Sequence, residues 1–250
     1  MVGEQEAAAA VAPPSSSEQQ GDRLPSWAET EEAGGTPETG ETPVQHAEET
    51  RGGDKQLHVL LGVTGSVAAI KLEEICRELF AQAEQQDLDL AVKIVATEGG
   101  LHFVPAGARA TLPRIFTDED ETSGISGWKK LGDPILHIQL RQWADVFAVA
   151  PLSANSLAKL AAGLCNNLLT CVARAWNFQK PFLVFPAMNT LMWEHPFTAR
   201  HLAELERLGA LVVPPVAKTL ACGDTGMGGL PPPADVAANI IKAARAARSL

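Results

Sequence analysis

The chain has 250 residues, 46% of them hydrophobic, which is enough for one large domain or two small ones with an ample core. Residues 1–55 hold 12 acidic and 3 basic side chains and so carry −9 of the formal net charge of −10, whereas residues 56–250, with 18 acids and 17 bases, are close to neutral. A near-neutral domain excludes the basic surface that recruits nucleic acid or anionic lipid, and it favours a small-molecule site or a protein partner.

The first 55 residues are predicted to form a disordered acidic tail, because Glu, Ala, Ser, Thr, Pro and Gly dominate them and leave little apolar surface to bury. They lack the basic start and apolar stretch of a secretory signal, and no apolar run reaches the roughly 18 residues of a membrane span. We therefore expect a cytoplasmic protein with one folded domain at 56–250. Four cysteines, Cys76, Cys165, Cys171 and Cys222, show no CxxC pair and no metal-like spacing with histidine, so no metal site is predicted.

Short apolar runs alternate with amphipathic segments from residue 57 to the C-terminus. The predicted strands are 57–63, 88–96, 145–150, 181–185 and 210–213; helices are predicted at 67–85, after 155 and through 162, and at 168–176, 196–208 and 234–248. The first helix is expected to bury Ile70, Ile75, Leu79 and Phe80. Residues 104–132 are predicted to be a weak strand or turn followed by an exposed loop. Unbroken apolar strands between helices predict an α/β fold, a three-layer α/β/α sandwich with a parallel sheet, but this pattern does not specify the strand order.

Polar turns follow the first three predicted strands. Gly65 and Ser66 follow the first strand, Thr97 follows the second, and residues 153–156 follow the third. Helix N-termini bind phosphate and other polar groups, and ligands of open α/β sheets bind outside the carboxyl ends of the strands. A shared crevice is favoured over three unrelated helix caps, which would also account for these residues. The dinucleotide fingerprint GxGxxG is absent, which disfavours a nicotinamide cofactor.

Residues 186–198 leave the carboxyl end of the fourth predicted strand. They bring Met188, Asn189, Met192 and Trp193 to the place where a ligand would bind. Each methionine, and Trp193, could instead be core filler. Asn189 fits that alternative poorly, because a buried amide needs hydrogen-bond partners.

His137 and Cys222 are the candidate reactive groups. Histidine titrates near neutral pH, so His137 is the natural base if it reaches the crevice, although a structural histidine is the commoner case. Cys222 lies in a glycine-dense loop at 220–229, which is predicted to be a flexible flap that brings the thiol to a bound substrate. Cys165 and Cys171 fit buried structural cysteines.

From residue 57 to residue 229 the chain resembles the homo-oligomeric flavin-containing cysteine decarboxylase family. The motifs that carry the resemblance are Gly-Ser-Val-Ala-Ala-Ile-Lys at 65–71, Asp-Pro-Ile-Leu-His at 133–137, Ala-Pro-Leu-Ser-Ala-Asn at 150–155, Asn-Leu-Leu-Thr-Cys at 167–171, Pro-Ala-Met-Asn-Thr-Leu-Met-Trp at 186–193 and Leu-Ala-Cys-Gly-Asp at 220–224. The resemblance implies a Rossmann-like flavoprotein that assembles as a homotrimer with FMN near the subunit contacts. The implied reaction is the decarboxylation of 4′-phosphopantothenoylcysteine to 4′-phosphopantetheine in coenzyme A biosynthesis, in which the flavin takes a hydride and later returns it.

The same resemblance implies a role for each matching residue. His137 would be the base, Cys222 the proton donor, and Asn189 a catalytic donor to the substrate. The residues expected to bind FMN are Gly65, Ser66, Val67, Thr97, Glu98, Gly99, Ser153, Ala154, Asn155, Ser156 and Ala187. The residues expected to bind substrate are Asn189, Met192, Arg141, Thr219, Ala221 and Leu230.

Three departures from the family pattern bear on turnover more than on cofactor binding. Gln142 replaces the second of two arginines, Asn166 stands where aspartate is common, and residues 228–233 read Gly-Gly-Leu-Pro-Pro-Pro in place of the usual Gly-Ala-Met-Ala. Two other hypotheses stay open. One is a catalytically weak relative that acts as a regulatory subunit, as a protein phosphatase inhibitor or the partner of an active paralogue; the other is a nicotinamide-dependent oxidoreductase.

Overall fold

The structure is a computed structural model that describes residues 56–122, 130–131, 133–221 and 223–248. The predicted tail at 1–55 and the predicted proton donor Cys222 lie outside the described residues. Within the described part of the chain, no helix combines the length and the apolar character that crossing a membrane requires.

Among the described residues, six parallel strands form a central sheet in the order β3-β2-β1-β4-β5-β6. The strands are β1 Leu57–Val63, β2 Leu90–Ala96, β3 Ile115–Phe116, β4 Val146–Leu152, β5 Phe182–Pro186 and β6 Leu211–Val212. Because β1 pairs with β2 on one side and β4 on the other, the direction of strand addition reverses between β1 and β4. Ligands of doubly wound folds bind outside the carboxyl ends of the strands at such a switch point.

Helices cover both faces of the sheet. They are α1 Leu72–Gln85, α2 Glu98–Phe103, α3 Asp118–Thr122, α4 Leu136–Trp143, α5 Ala154–Ala161, α6 Leu168–Arg174, α7 Thr190–Glu194, α8 Pro196–Arg207 and α9 Pro233–Arg248. A 3₁₀ helix, Val67–Lys71, leads into α1, and a second one, Ala106–Ala110, precedes β3.

Alternation along the central strands divides the core between the two faces. Leu61 and Ala148 pack in a cluster with α1 and α9, whereas Leu60 and Phe147 pack in a cluster with α4, α5, α6 and α8. Both faces of β1 and β4 are buried, which explains why these strands are unbroken apolar runs. The predicted three-layer α/β/α fold is confirmed.

Three local predictions are wrong. Ile70 and Phe80 are 51% and 42% exposed, because Ile70 lies in the 3₁₀ turn and Phe80 lies at the margin of the stripe that buries Ile75 and Leu79. Cys165, predicted with Cys171 to be a buried structural cysteine, is exposed, because it lies in the segment that joins α5 to α6. Helix α2, which follows the second strand directly, was not predicted, because the glycines at 99 and 100 disfavour a helix.

The predicted flap at 220–229 is largely regular structure. Two antiparallel strands, β7 Val216–Thr219 and β8 Thr225–Gly229, pair as a hairpin, and the described residues of its tip are 220, 221, 223 and 224. The altered sequence at 228–233 therefore supplies the end of β8 and the start of α9, and only the tip is left as a loop.

Candidate active site at the switch point

A cavity of about 720 Å³ lies at the carboxyl edge of the sheet, beside the ends of β1, β4 and β5. The predicted site residues that line it are Gly65, Ser66, Val67, Ser153, Ala154, Ala187, Asn189, Met192, Thr219, Ala221 and Leu230. The β7–β8 hairpin forms the opposite wall with the prolines that precede α9. The structure thus brings together most of the residues that the sequence analysis selected from separate turns.

Thr64 links the ends of the two central strands beneath this cavity. Its buried hydroxyl donates to the carbonyl oxygen of Pro151 at 2.9 Å and accepts the backbone N–H of Ser153 at 2.7 Å. A buried polar side chain with both hydrogen bonds made holds its neighbours in a specific geometry. Thr64 therefore determines how the turn after β1 sits against the start of α5, and the sequence analysis did not select it.

Ser66 and Ser153 cap the helices at which they stand. The Ser153 hydroxyl accepts the N–H of Ser156 at 3.3 Å, and the Ser66 hydroxyl accepts the N–H of Ala68 at 3.4 Å. Capping does not conflict with ligand binding, because α5 still presents the first N–H groups of the helix to the cavity. Asn155 is exposed and Ser156 is buried, and neither lines the cavity.

Thr97, Glu98 and Gly99 lie beside the cavity wall without forming part of it. Thr97 caps α2 by accepting the N–H of Gly100 at 3.1 Å. A Cβ added to Gly99 would lie 3.4 Å from the Cα of Gly65, so α2 packs directly against the turn after β1. These three residues were predicted to bind FMN, and in the structure they begin a helix that packs, through Gly99, against the turn that lines the cavity.

Asn189 is held on both sides of its amide. Its oxygen accepts the N–H of Leu191 at 2.9 Å, which orients the nitrogen toward the hairpin tip, where it donates to Asp224 at 2.7 Å. The hairpin is also anchored to this segment through the N–H of Met188, which donates to the carbonyl oxygen of Gly228 at 2.9 Å. Asn189 therefore lies in the cavity wall under the tip of the hairpin, as a substrate-binding amide requires.

The hydrophobic members of residues 186–198 divide between core and cavity. Met188 is 9% exposed and belongs to the cluster formed with α4, α5, α6 and α8, and Trp193 packs against the same cluster, so the core-filler alternative describes the packing of both. Met188 also reaches the wall of the cavity. Met192 is 48% exposed and lines the cavity.

His137 and Arg141 do not line the cavity. Both lie on α4, and His137 is partly buried, with Nδ1 2.6 Å from a carboxylate oxygen of Glu121. The Nε of Arg141 is buried without a hydrogen-bond partner among the described residues. Burial of a guanidinium nitrogen without a hydrogen-bond partner costs free energy of desolvation, which favours an anion as the missing partner.

Two lysines in the cavity wall, Lys71 and Lys218, were not predicted from the sequence. Lys71 forms an ion pair with Glu74 at 2.8 Å, and this hydrogen bond lowers the pKa of the Glu74 carboxyl. Lys218 donates to the carbonyl oxygen of Leu230 at 2.9 Å. Lys71 ends the motif at 65–71 and could have been selected on that ground, whereas Lys218 lies in a hairpin that no local pattern revealed.

The residues present fit FMN. A cavity of this volume falls in the range of roughly 300–1,000 Å³ that ligand sites occupy. Val67, Ile70 and Phe103 offer apolar surface to a flavin ring, and the N-terminus of α5 at Ser153 offers N–H groups to a phosphate.

Comparison with known proteins agrees with this geometry. Residues 47–245 match the family model described as Flavoprotein. The chain belongs to the Flavoprotein family. A relative from Oryza sativa subsp. japonica named phosphopantothenoylcysteine decarboxylase is 53% identical to this flavoprotein over 178 residues, which are 70% of this chain and 75% of the relative.

Two solved structures resemble this flavoprotein over about three quarters of its chain. One is a PPC decarboxylase with a cysteine-to-serine substitution, complexed with pantothenoylaminoethenethiol; it is 47% identical with a TM-score of 0.67, and the match covers 75% of this chain and 97% of that one. The other, described as the FMN binding protein AtHal3, is 48% identical with a TM-score of 0.65, and the match covers 74% and 95% of the two chains. The family resemblance inferred from the motifs is confirmed.

Proposed function

We propose that this protein is an FMN-dependent carboxy-lyase that converts 4′-phosphopantothenoylcysteine to 4′-phosphopantetheine in coenzyme A biosynthesis. The observation that carries the proposal is the position of Asn189 in one cavity with the turns after β1 and β4, where a flavin and an acylated cysteine would lie side by side. The names of the rice relative and of the solved decarboxylase support the same reaction.

The cavity supplies what the cofactor and the substrate need. The turn at Gly65, Ser66 and Val67 and the N-terminus of α5 would hold FMN, and when bound the cofactor accepts a hydride from the substrate and later returns it. Lys71 and Lys218 give the wall positive charge for a substrate that carries a phosphate and a carboxylate.

The reacting part of the substrate would lie under the hairpin tip. The amide nitrogen of Asn189 would donate to its carboxylate or to the developing thiolate, in exchange for Asp224. His137 would accept the thiol proton, Arg141 would contact the carboxylate, and Cys222 would return a proton as the hydride comes back. The role of Cys222 stays a prediction, because this residue lies outside those that the structure describes.

We further propose that the enzyme works as a homotrimer. His137 and Arg141 lie outside the cavity of their own subunit, so a neighbouring subunit would have to bring them to the reaction. Val67 and Ile70 in the cavity wall and Leu191 outside it are exposed apolar side chains, which the bound flavin and a neighbouring subunit would cover together. The cytoplasmic location, the disordered tail and a protein phosphatase partner stay predictions.

The test is direct. The purified full-length protein should be yellow, with the absorption spectrum of bound flavin, and should release carbon dioxide from 4′-phosphopantothenoylcysteine without added oxidant. A flavin-loaded protein that releases none would contradict the proposed reaction and would favour the regulatory-subunit alternative.

A further inference from the structure

We propose that Glu121 is a positioning residue that fixes the tautomer and the orientation of the His137 imidazole. The inference rests on the proposed function, because it concerns the base of that reaction. From the sequence, Glu121 was predicted to lie in an exposed loop and had no predicted role.

Both carboxylate oxygens of Glu121 bind the same residue. One lies 2.6 Å from Nδ1 of the His137 ring, and the other accepts the backbone N–H of His137 at 3.1 Å. The two side chains are only 23% and 26% exposed. A carboxylate bound at two points of one residue holds the ring at a set angle to its own backbone.

This contact determines which nitrogen can act as the base. An ionised carboxylate only accepts hydrogen bonds, so the proton of the neutral ring must be on Nδ1. The lone pair is then on Nε2, which is the atom left to accept a proton from a substrate. When Nε2 takes that proton, the imidazolium stays beside a carboxylate that stabilises it, as in other histidine–carboxylate pairs.

The acidic run at 118–121 is built to hold Glu121 in place. Asp118 accepts the N–H of Leu168 at the start of α6 at 2.6 Å, which ties α3 to the core. Asp120 accepts the N–H of Thr117 at 2.7 Å and its hydroxyl at 3.0 Å, which closes the turn before α3.

A purely structural role is the alternative. The N-cap position of α4, Ile135, has no side-chain hydrogen bond, so Glu121 also satisfies an N-terminal amide of that helix. A helix cap alone would stabilise α4 without any effect on the tautomer of the ring.

The experiment uses the full-length, FMN-loaded protein with ¹⁵N-labelled histidine. His137 is assigned by the resonance that disappears in His137→Asn. We expect His137 to be Nδ1-protonated in the wild type and to lose that preference in Glu121→Ala. Glu119→Gln, which removes a charge from an exposed position on the same helix, is the control and should leave the tautomer unchanged.

Turnover supplies the second readout. Glu121→Ala should lower kcat about 10- to 100-fold, within the contribution of a general base, while KM and FMN affinity change little. In the His137→Asn background the same substitution should cause no further loss, because Glu121 acts only through the ring. Glu121→Gln, which keeps a ring acceptor but places a donor against the backbone N–H, should fall between the wild type and Glu121→Ala, and it provides a test if the alanine variant does not fold.

Each outcome separates the two proposals. An Nδ1-protonated ring that persists in both Glu121 variants, or an equal loss of kcat with and without His137, would overturn the positioning role. A wild-type protein that shows the expected tautomer and its loss in the variants, but releases no carbon dioxide, would support the contact and overturn the proposed reaction.

Discussion

At the scale of single residues, the site depends on side chains whose partners are far away in the chain. Asn189 binds Asp224 35 residues later, and the backbone N–H of Ser153 binds Thr64 89 residues earlier. The amide of Asn189 is more exposed than the hydroxyl of Thr64, so it can release the carboxylate of Asp224 and bind the carboxylate of a substrate instead. Thr64 is buried and keeps its partners.

Replacement of Asn189 by alanine should lower the rate of carbon dioxide release about 10²- to 10³-fold, because one well-placed donor to the developing charge is removed. The flavin spectrum should not change, since the turns after β1 and β4 remain intact. Asn177→Ala, in an exposed loop away from the cavity, is the matched control and should keep full activity. Equal rates for Asn189→Ala and the wild type would remove Asn189 from the site.

Cys76 leads to a prediction about alkaline stability. Burial raises the pKa of this thiol from 9.0 to about 12. The folded protein keeps the thiol neutral, whereas the unfolded chain ionises near pH 9, so this contribution is fully present below pH 9 and is lost as the pH rises to about 12. Urea denaturation at pH 8 and pH 10.5 should show a drop of about 1–2 kcal/mol in the free energy of unfolding.

In Cys76→Ala the free energy of unfolding should fall less steeply with rising pH, because no buried thiol is left to titrate. The space left by the missing sulfur lowers the free energy of unfolding by about 1–2 kcal/mol at every pH. The slope with pH is therefore the diagnostic quantity. The same slope in the wild type and the variant between pH 9 and 11 would show that the buried thiol does not titrate as expected.

At the scale of elements, close backbone packing explains why helix α2 contains a glycine at position 100. A Cβ on Gly100 would lie 2.5 Å from the carbonyl oxygen of Val63 at the end of β1. Glycine is therefore required at this position for α2 to approach the strand, although it weakens helix propensity. The glycines at 99 and 100 disfavour a helix by local propensity, whereas tertiary packing against β1 favours one here.

Gly100→Ala should destabilise the protein by roughly 1–3 kcal/mol, because either α2 or the end of β1 must move. FMN affinity should fall with it, since α2 supports the turn at Gly65. Gly107→Ala is the control: nothing lies within 4 Å of the added Cβ, and the residue is exposed. Thermal unfolding and flavin titration of both variants test this difference, and an equally small effect at the two glycines would contradict it.

At the scale of the whole molecule, the strand order places the site. The reversal between β1 and β4 opens the sheet edge where the turns after β1, β4 and β5 meet. His137 and Arg141 remain outside this cavity, and in the proposed homotrimer a second copy of the chain would bring them to it.

Mixed oligomers test that requirement. His137→Asn and Asn189→Ala alone should each keep a measurable residual rate of at most about one hundredth of the wild-type rate. Co-refolded in equal amounts, they should recover about a quarter of the wild-type activity, because random assembly places an intact cavity beside an intact His137 at about one site in four. No recovery in mixed trimers of confirmed composition would show that each subunit uses its own His137.

The amino-acid sequence by itself determined the α/β class, the parallel sheet, most strand positions and the turns that line the cavity. These features depend on local periodicity and on which residue types end a strand or cap a helix. Gly65, Ser153 and Asn189 could be identified in this way because each stands shortly after the end of a strand.

Only the tertiary structure decided the strand order, the hairpin over Asn189, the two lysines of the cavity and the contact between Glu121 and His137. Lys218 enters the cavity because β7 pairs with β8, and Glu121 reaches the ring because α3 is tied to α6 by Asp118. Such contacts join residues that no local pattern relates, and they exist because packing of the whole chain brings distant polar groups within hydrogen-bonding distance of each other.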